Sequence, residues 1–350
     1  MDDLRAMATT STAEPPAAPS AGHGRGAEKR LAHVAFGRQP ESIPLHWYRV
    51  MEEALDRLGV PRVVHPKNPL LRDAARGLSK LRLIRPVARL SRRAYLIPIM
   101  QPEEYRFFPV AYWGEVVPFC FDIWPPRWPK WEAMFRRHRV RVAFFTARQS
   151  AEEFARRIPG MECLWVPEAT DPRYLKPEKL LTERSIDVLE MGRRYDAYHD
   201  LITPRLAAAG RRHLFERVKG EMIYTRFADT AAGYGDAKVA LAFPSALTHP
   251  ERSGPVETVT MRYYEIMASR CLLVGRCPAE LRDDFGYNPV VEADMDRAAD
   301  QIEGILADVG RYQELVDRNH RTTLERGTWD ARFATVLSEL RRRGYSTGAG

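Results

Sequence analysis

Cysteine is scarce in this sequence, and the four present, Cys120, Cys163, Cys271 and Cys277, are scattered along it. No C-x2-C pair or accompanying histidine spacing marks a zinc or redox motif, so reduced, mostly buried thiols in a cytoplasmic protein are expected. No uncharged apolar run reaches the roughly 18 residues of a membrane span, and the first residues lack the apolar centre of a signal peptide. A pervasive charge field is missing too. The formal net charge is +8, and residues 67–93 alone carry nine Lys or Arg against one acid, Asp73, which equals that whole excess. The remainder is balanced, so attraction to anions is local and a general nucleic-acid surface is disfavoured.

What is present is a long alternation of strand and helix patterns. At 350 residues the chain exceeds what one core usually holds, so two domains are expected. Residues 1–27, rich in Ala, Pro, Ser, Thr and Gly, form an expected disordered tail. Apolar runs at 31–36, 60–64, 94–99, 116–121, 140–146 and 163–166 read as strands, with helices near 45–58, 128–137 and 150–157. A polar, proline-containing stretch then interrupts the pattern, giving a linker at 168–185 between a first unit, 28–167, and a second, 186–345. The second unit restarts with Ile186–Gly192 and repeats the alternation, closing with amphipathic helices near 295–308, 312–326 and 329–343. The fold class expected is α/β, two Rossmann-like domains facing a central cleft.

The most informative stretch runs from Pro244 to Arg270, a polar loop and a helix between two strand-like runs. Such a loop opens at the ligand edge of a parallel sheet. Glu257 and Glu265 are separated by seven residues within it. On one continuous helix, eight positions turn through about 800° and rise about 12 Å, so the two carboxylates would not share a face. If Thr258 or Thr260 caps the helix, Glu257 belongs to the loop and Glu265 to the second turn, and one elongated ligand touches both. A carboxylate accepts from two neighbouring hydroxyls, as in the grip on a ribose diol, while free N–H groups at a helix start face a diphosphate.

This spacing resembles the E-x7-E element of retaining glycosyltransferases with the GT-B architecture. The stretch "FPSALTHPERSGPVETVTMRYYEIMASRCLLVG" with "CPAEL", and the later "GTWDARFATVLSEL", resemble CgeB-like and group 1 members; "FDIWPPRWPKW" and "WVPEATDP" do so more loosely. The resemblance implies donor-ribose contact by Glu265 and a catalytic place for Glu257. It places a basic residue after the Ile186 strand on the donor diphosphate, here Arg193 or Arg194. The lysine common a few positions later is replaced by the Asp196, Tyr198 and His199 region, and the glycines common after the first Glu by Thr258-Val259-Thr260. Arg262 is the expected substitute phosphate contact beside Thr260, with His249 and Arg252 of the long loop as further donor-binding candidates. His46 occupies a place from which family members contact sugar and is the second catalytic candidate; Asp122, ending a strand, faces the cleft or caps a turn.

The function so implied is transfer of a sugar, with retention of configuration, from a nucleotide-diphosphate donor to a glycan, lipid-linked or small-molecule acceptor. No cofactor and no metal ligand are expected, since arginines and helix N–H groups take the leaving-group charge and no convincing Asp-x-Asp loop is present. An epimerase or phosphorylase on the same fold, and a basic nucleic-acid-binding protein, are the alternatives. Residues 67–93 place Leu70, Leu71, Ala74, Ala75, Leu78 and Leu81 at near-helical spacing opposite arginines. They are read as a solvated helix face, an anionic-acceptor site, or a contact with anionic lipid at the inner face of the membrane.

Overall fold

The computed structural model describes residues 28–36, 43–65, 69–84, 92–175, 177, 179–218 and 221–347. The tail expected at 1–27 lies outside these residues. The first unit runs β1 (Lys29–Ala35), α1 (Ile43–Arg57), β2 (Arg62–Val64), α2 (Pro69–Lys80), β3 (Arg93–Ile99), β4 (Glu115–Cys120), α3 (Trp128–His138), β5 (Val142–Phe145), α4 (Arg148–Arg157) and β6 (Glu162–Trp165). The second runs β7 (Ile186–Leu189), α5 (Asp196–Ala208), β8 (His213–Leu214), α6 (Phe227–Asp236), β9 (Ala237–Ala242), α7 (Ser245–Thr248), α8 (Pro250–Ser253), α9 (Met261–Ala268), β10 (Leu272–Gly275), α10 (Ala279–Phe285), β11 (Val291–Glu292), α11 (Ala298–Ala307) and α12 (Gln313–Arg326). Helix α13 (Trp329–Arg342) and strand β12 (Tyr345–Ser346) follow.

Two parallel sheets result. The first has the order β12-β1-β3-β4-β5-β6, with β2 also on β1; the second has the order β11-β10-β9-β7-β8. In each, the first strand of the unit lies between the second and third, so the winding reverses there and a crevice opens beyond the carboxyl ends of β1 and β3, and of β7 and β9. Both faces of both sheets are covered, and side-chain alternation explains how. In β3, Ala94 and Leu96 enter one core and Tyr95, Ile97 and Ile99 the other; in β9, Ala240 and Ala242 oppose Val239 and Leu241 in the same way. Cys120, Cys271 and Cys277 are buried within this packing and Cys163 partly so.

The expected second unit, 186–345, differs from the structure at its end. Trp329, Phe333, Val336, Leu337 and Leu340 of α13, with Tyr345, pack with Leu31, Met51, Leu55 and Phe119 in the core of the first sheet, and β12 pairs with β1. Amphipathic spacing shows that a helix has an apolar face but not which sheet receives it. The chain thus crosses between units twice, and the crossings touch: the Thr170 amide donates to the Gly327 carbonyl and the Trp329 amide to the Thr170 carbonyl, 3.0 and 3.1 Å.

Among the described residues of the basic segment, Ala75 and Ile84 are buried and Leu78 is half-buried, while Leu71, Leu81 and Leu83 are exposed beside Arg76, Lys80 and Arg82. Residues 67–68 and 85–91 of it lie outside the described residues. Among the described residues no helix is long and apolar enough to cross a membrane.

Candidate functional site

A cleft lies where the two crevices face each other. It is lined from the first unit by His46, Trp47, Met100, Phe121 and Asp122, from the crossing segment by Glu168 to Asp171, and from the second unit by Gly192, Arg193, Phe227, Tyr234, Thr260, Arg262 and Glu265 among others. Five of the residues singled out in the sequence for the site, His46, Arg193, Thr260, Arg262 and Glu265, therefore converge, and Asp122 joins them.

The second unit supplies the cationic wall. Arg193 leaves the end of β7 and reaches across the crevice to donate to the Ser245 hydroxyl beyond β9, 2.8 Å away. Arg262, in the first turn of α9, donates to the Arg193 carbonyl at 3.2 Å and meets the Tyr234 hydroxyl. Burial and then the neighbouring Arg262 charge weaken the hold of Arg193 on its proton. Gly192 permits this crowding: its φ is +67°, and a Cβ there would stand 2.3 Å from an Arg262 guanidinium nitrogen. The close approach sought among the missing glycines of 258–260 is found here, made by an arginine side chain.

Helix α9 starts at Met261 with Thr260 in the N-cap position, so Glu257 lies in the loop and Glu265 in the second turn. Glu265 is half-buried in the cleft; burial pushes its carboxyl up to about 7, with Arg262 pulling the other way. Glu257 does not line the cleft. Its amide donates to Gln149 Oε1 of α4 at 2.9 Å, tying the loop to the first unit. The first amide of α9 is not free for a phosphate as expected, because the Met261 N–H donates to Glu168 at 2.8 Å.

Glu168 is the residue that sequence reasoning missed, although the stretch containing it was conspicuous. It is 4 % exposed, and burial, then Asp122, push its carboxyl up to about 8. At neutral pH it carries a proton: one oxygen accepts from Met261 and the carboxyl also has an O–H to donate. Its position, three residues past the end of β6 at a sheet's carboxyl edge, is the signal that would have found it. Phe227 and Tyr234 were also missed, with the whole of α6.

His46 stacks on Phe227 with ring centroids 3.6 Å apart and 13° between planes, and meets Tyr174 edge-on at 4.8 Å. The Arg49 guanidinium lies 3.0 Å from His46 Nδ1 and has only protons to offer, so Nδ1 is the acceptor and Nε2 bears the proton. Burial, reinforced by Arg49, pushes the imidazole down to about 4. His46 is thus a neutral donor through Nε2, which has no protein partner, and is unsuited to act as a base.

The remaining candidates sit around the site. Arg194 turns to Asp196 at 2.7 Å and to the Glu216 carbonyl at 3.3 Å. Arg252 lies 5.0 Å from the centre of the Trp124 ring, and Arg193 5.9 Å from the same ring, so the indole carries two guanidiniums at the rim. The His249 carbonyl accepts from the amides of Arg252 and Ser253 and shapes the α7–α8 turn. Asp122, at φ +49°, faces these arginines; burial raises its carboxyl and Arg193 opposes the rise.

No protein-family model and no curated protein matches the chain. Solved structures do. It is similar to a sucrose-phosphate synthase from Thermosynechococcus elongatus, TM-score 0.57 at 12% identity over 90% of this chain and 98% of that one. A UDP-forming α,α-trehalose-phosphate synthase from Burkholderia vietnamiensis gives 0.56 at 11% identity over 90% and 100%. AviGT4, a glycosyltransferase involved in avilamycin A biosynthesis, gives 0.53 at 16% identity over 92% and 99%. The chain has the GT-B fold of these enzymes, two Rossmann-like domains across a cleft.

Proposed function

We propose that this protein is a glycosyltransferase that takes a sugar from a nucleoside-diphosphate donor held on the second unit and passes it, with retention and without a metal ion, to an acceptor approaching from the first. The observation carrying this reading is the meeting of Arg193, Arg262 and Glu265 with His46 and Glu168 in one cleft at both switch points. The two guanidiniums take the diphosphate and the charge that grows on it as the sugar leaves. Glu265 accepts from the ribose diol. The His46 Nε2–H and the Glu168 O–H are donors for sugar hydroxyls, holding the reacting carbon against the acceptor. The epimerase, phosphorylase and nucleic-acid alternatives draw on no comparable observation.

Calorimetry with UDP tests the reading, that nucleotide being the product in one structural neighbour's own name. Arg193→Gln should weaken binding by about 1.5–3 kcal/mol, the range for a hydrogen bond to a charged group. A panel of nucleoside diphosphates and nucleotide sugars, none of which binds or raises the melting temperature, would overturn it. The acceptor is proposed to lie at an anionic membrane surface, since Leu71, Leu81 and Leu83 are exposed beside Arg76, Lys80 and Arg82. Binding to anionic but not neutral vesicles, lost in a L81S/L83S variant and weakened by salt, is the expected result.

A further inference from the structure

Behind the loop that carries Arg193, three side chains from three elements meet away from the cleft. Glu190 follows β7 directly, His213 lies on β8 beside it, and His199 comes from the first turn of α5. One carboxylate oxygen, Glu190 Oε1, stands 2.7 Å from His199 Nδ1 and 2.7 Å from His213 Nε2. The three side chains are only 6–7 % exposed, and the Phe215 ring packs against both imidazoles at 4.6 and 4.7 Å. None of the three lines the cleft.

We propose that Glu190, His199 and His213 form a binding site for a single divalent zinc-type ion that fastens β7, β8 and α5 together. The donor set is the mixed imidazole and carboxylate type that zinc favours, and its single negative charge suits a divalent ion in a dry pocket. The three ligand atoms lie within 4.8 Å of one another; tetrahedral zinc with bonds of about 2.0–2.1 Å needs them about 3.3 Å apart, so each imidazole moves back from the carboxylate oxygen by about half an ångström and the two rings adjust to a common centre. Thr203 Oγ1 lies beside the His199 ring, 3.2 Å from Nε2 and 3.3 Å from Nδ1, and is the hydroxyl available to hold that ring from the outer shell, whereas His213 Nδ1 has no protein partner. The fourth position falls to water. Both ring nitrogens on the carboxylate change from donor to ligand, each proton passing to the other nitrogen of its ring. The ion has a structural task, distinct from sugar transfer.

The test uses the full chain without a histidine tag, stripped by chelator and titrated with zinc chloride. One zinc per chain by calorimetry and elemental analysis, a melting temperature raised by several degrees, and visible d–d absorption on cobalt substitution are expected. His213→Gln and His199→Asn should each lose at least tenfold in zinc affinity and the cobalt band, while circular dichroism and melting of the stripped variants match the stripped parent. Zinc binding equal in parent and both variants, or no binding by the parent, overturns the proposal and leaves a carboxylate pinning two imidazoles. If one variant fails to fold, the other and the parent's cobalt spectrum decide the matter.

Discussion

Replacing Glu168 by glutamine isolates the proton held in the cleft. The substitution keeps an oxygen to accept from Met261 and a donor on the other arm, but it cannot ionise. In the wild-type protein the carboxyl is pushed from 4.5 to about 8, so between these values the folded state binds more protons than the unfolded one and stability falls as pH rises. At about 1.36 kcal/mol per pH unit the full effect is bounded near 4.8 kcal/mol, of which about 3.5 accrues between pH 5 and 8. Relaxation around the buried group lowers this, and a difference of about 2–3.5 kcal/mol is expected. The assay is urea unfolding of both proteins at pH 5, 6, 7 and 8, read as the wild-type minus E168Q stability, so that contributions common to both cancel. The difference should move in favour of E168Q with rising pH. Curves that stay parallel from pH 5 to 8 would refute the reasoning, because they would mean that Glu168 ionises in the fold as easily as in water.

Glu265→Gln should weaken UDP binding by about 1.5–3 kcal/mol at pH 8 and by less at pH 6, because the wild-type carboxyl, at about 7, is then mostly protonated; equal calorimetric affinity at pH 8 would sink the ribose assignment. Gly192→Ala should displace Arg262 and weaken UDP binding beyond the backbone cost, whereas Gly210→Ala, at a similar φ of +66° with open space around it, should cost about 1 kcal/mol of stability and leave binding unchanged. Turnover of the matched donor should persist in excess chelator well below the melting temperature. Activity abolished by chelator and restored by one metal would contradict metal-independent transfer.

The α/β class and most strands were legible because parallel strands buried on both faces are written as short apolar runs, as in Val142–Phe145 and Leu272–Gly275. Helix α6 was not, since Phe227–Asp236 is mostly small residues with two glycines between Phe227 and Asp236, Gly233 lying so close to Tyr224 that a Cβ would stand 2.5 Å from its ring. Within the site, Glu265 was found by spacing along one segment. Glu168 acquires its character only from burial against Asp122 and the start of α9, and the Glu190, His199 and His213 group only from the pairing of β8 with β7. Such neighbours come from tertiary structure, which no local pattern reports.

The return of α13 to the first sheet sets an order of assembly. Residues 186–326 hold every strand of the second sheet in one continuous piece, so this unit has all its sheet partners before Trp329 is made. The first unit, although synthesised earlier, waits for Trp329, Phe333, Val336, Leu337 and Leu340 to cover the face bearing Leu31, Met51 and Phe119. A nascent chain therefore emerges from the ribosome with its leading domain open and apolar while its trailing domain closes. That makes the interval between the two a window for aggregation or chaperone capture.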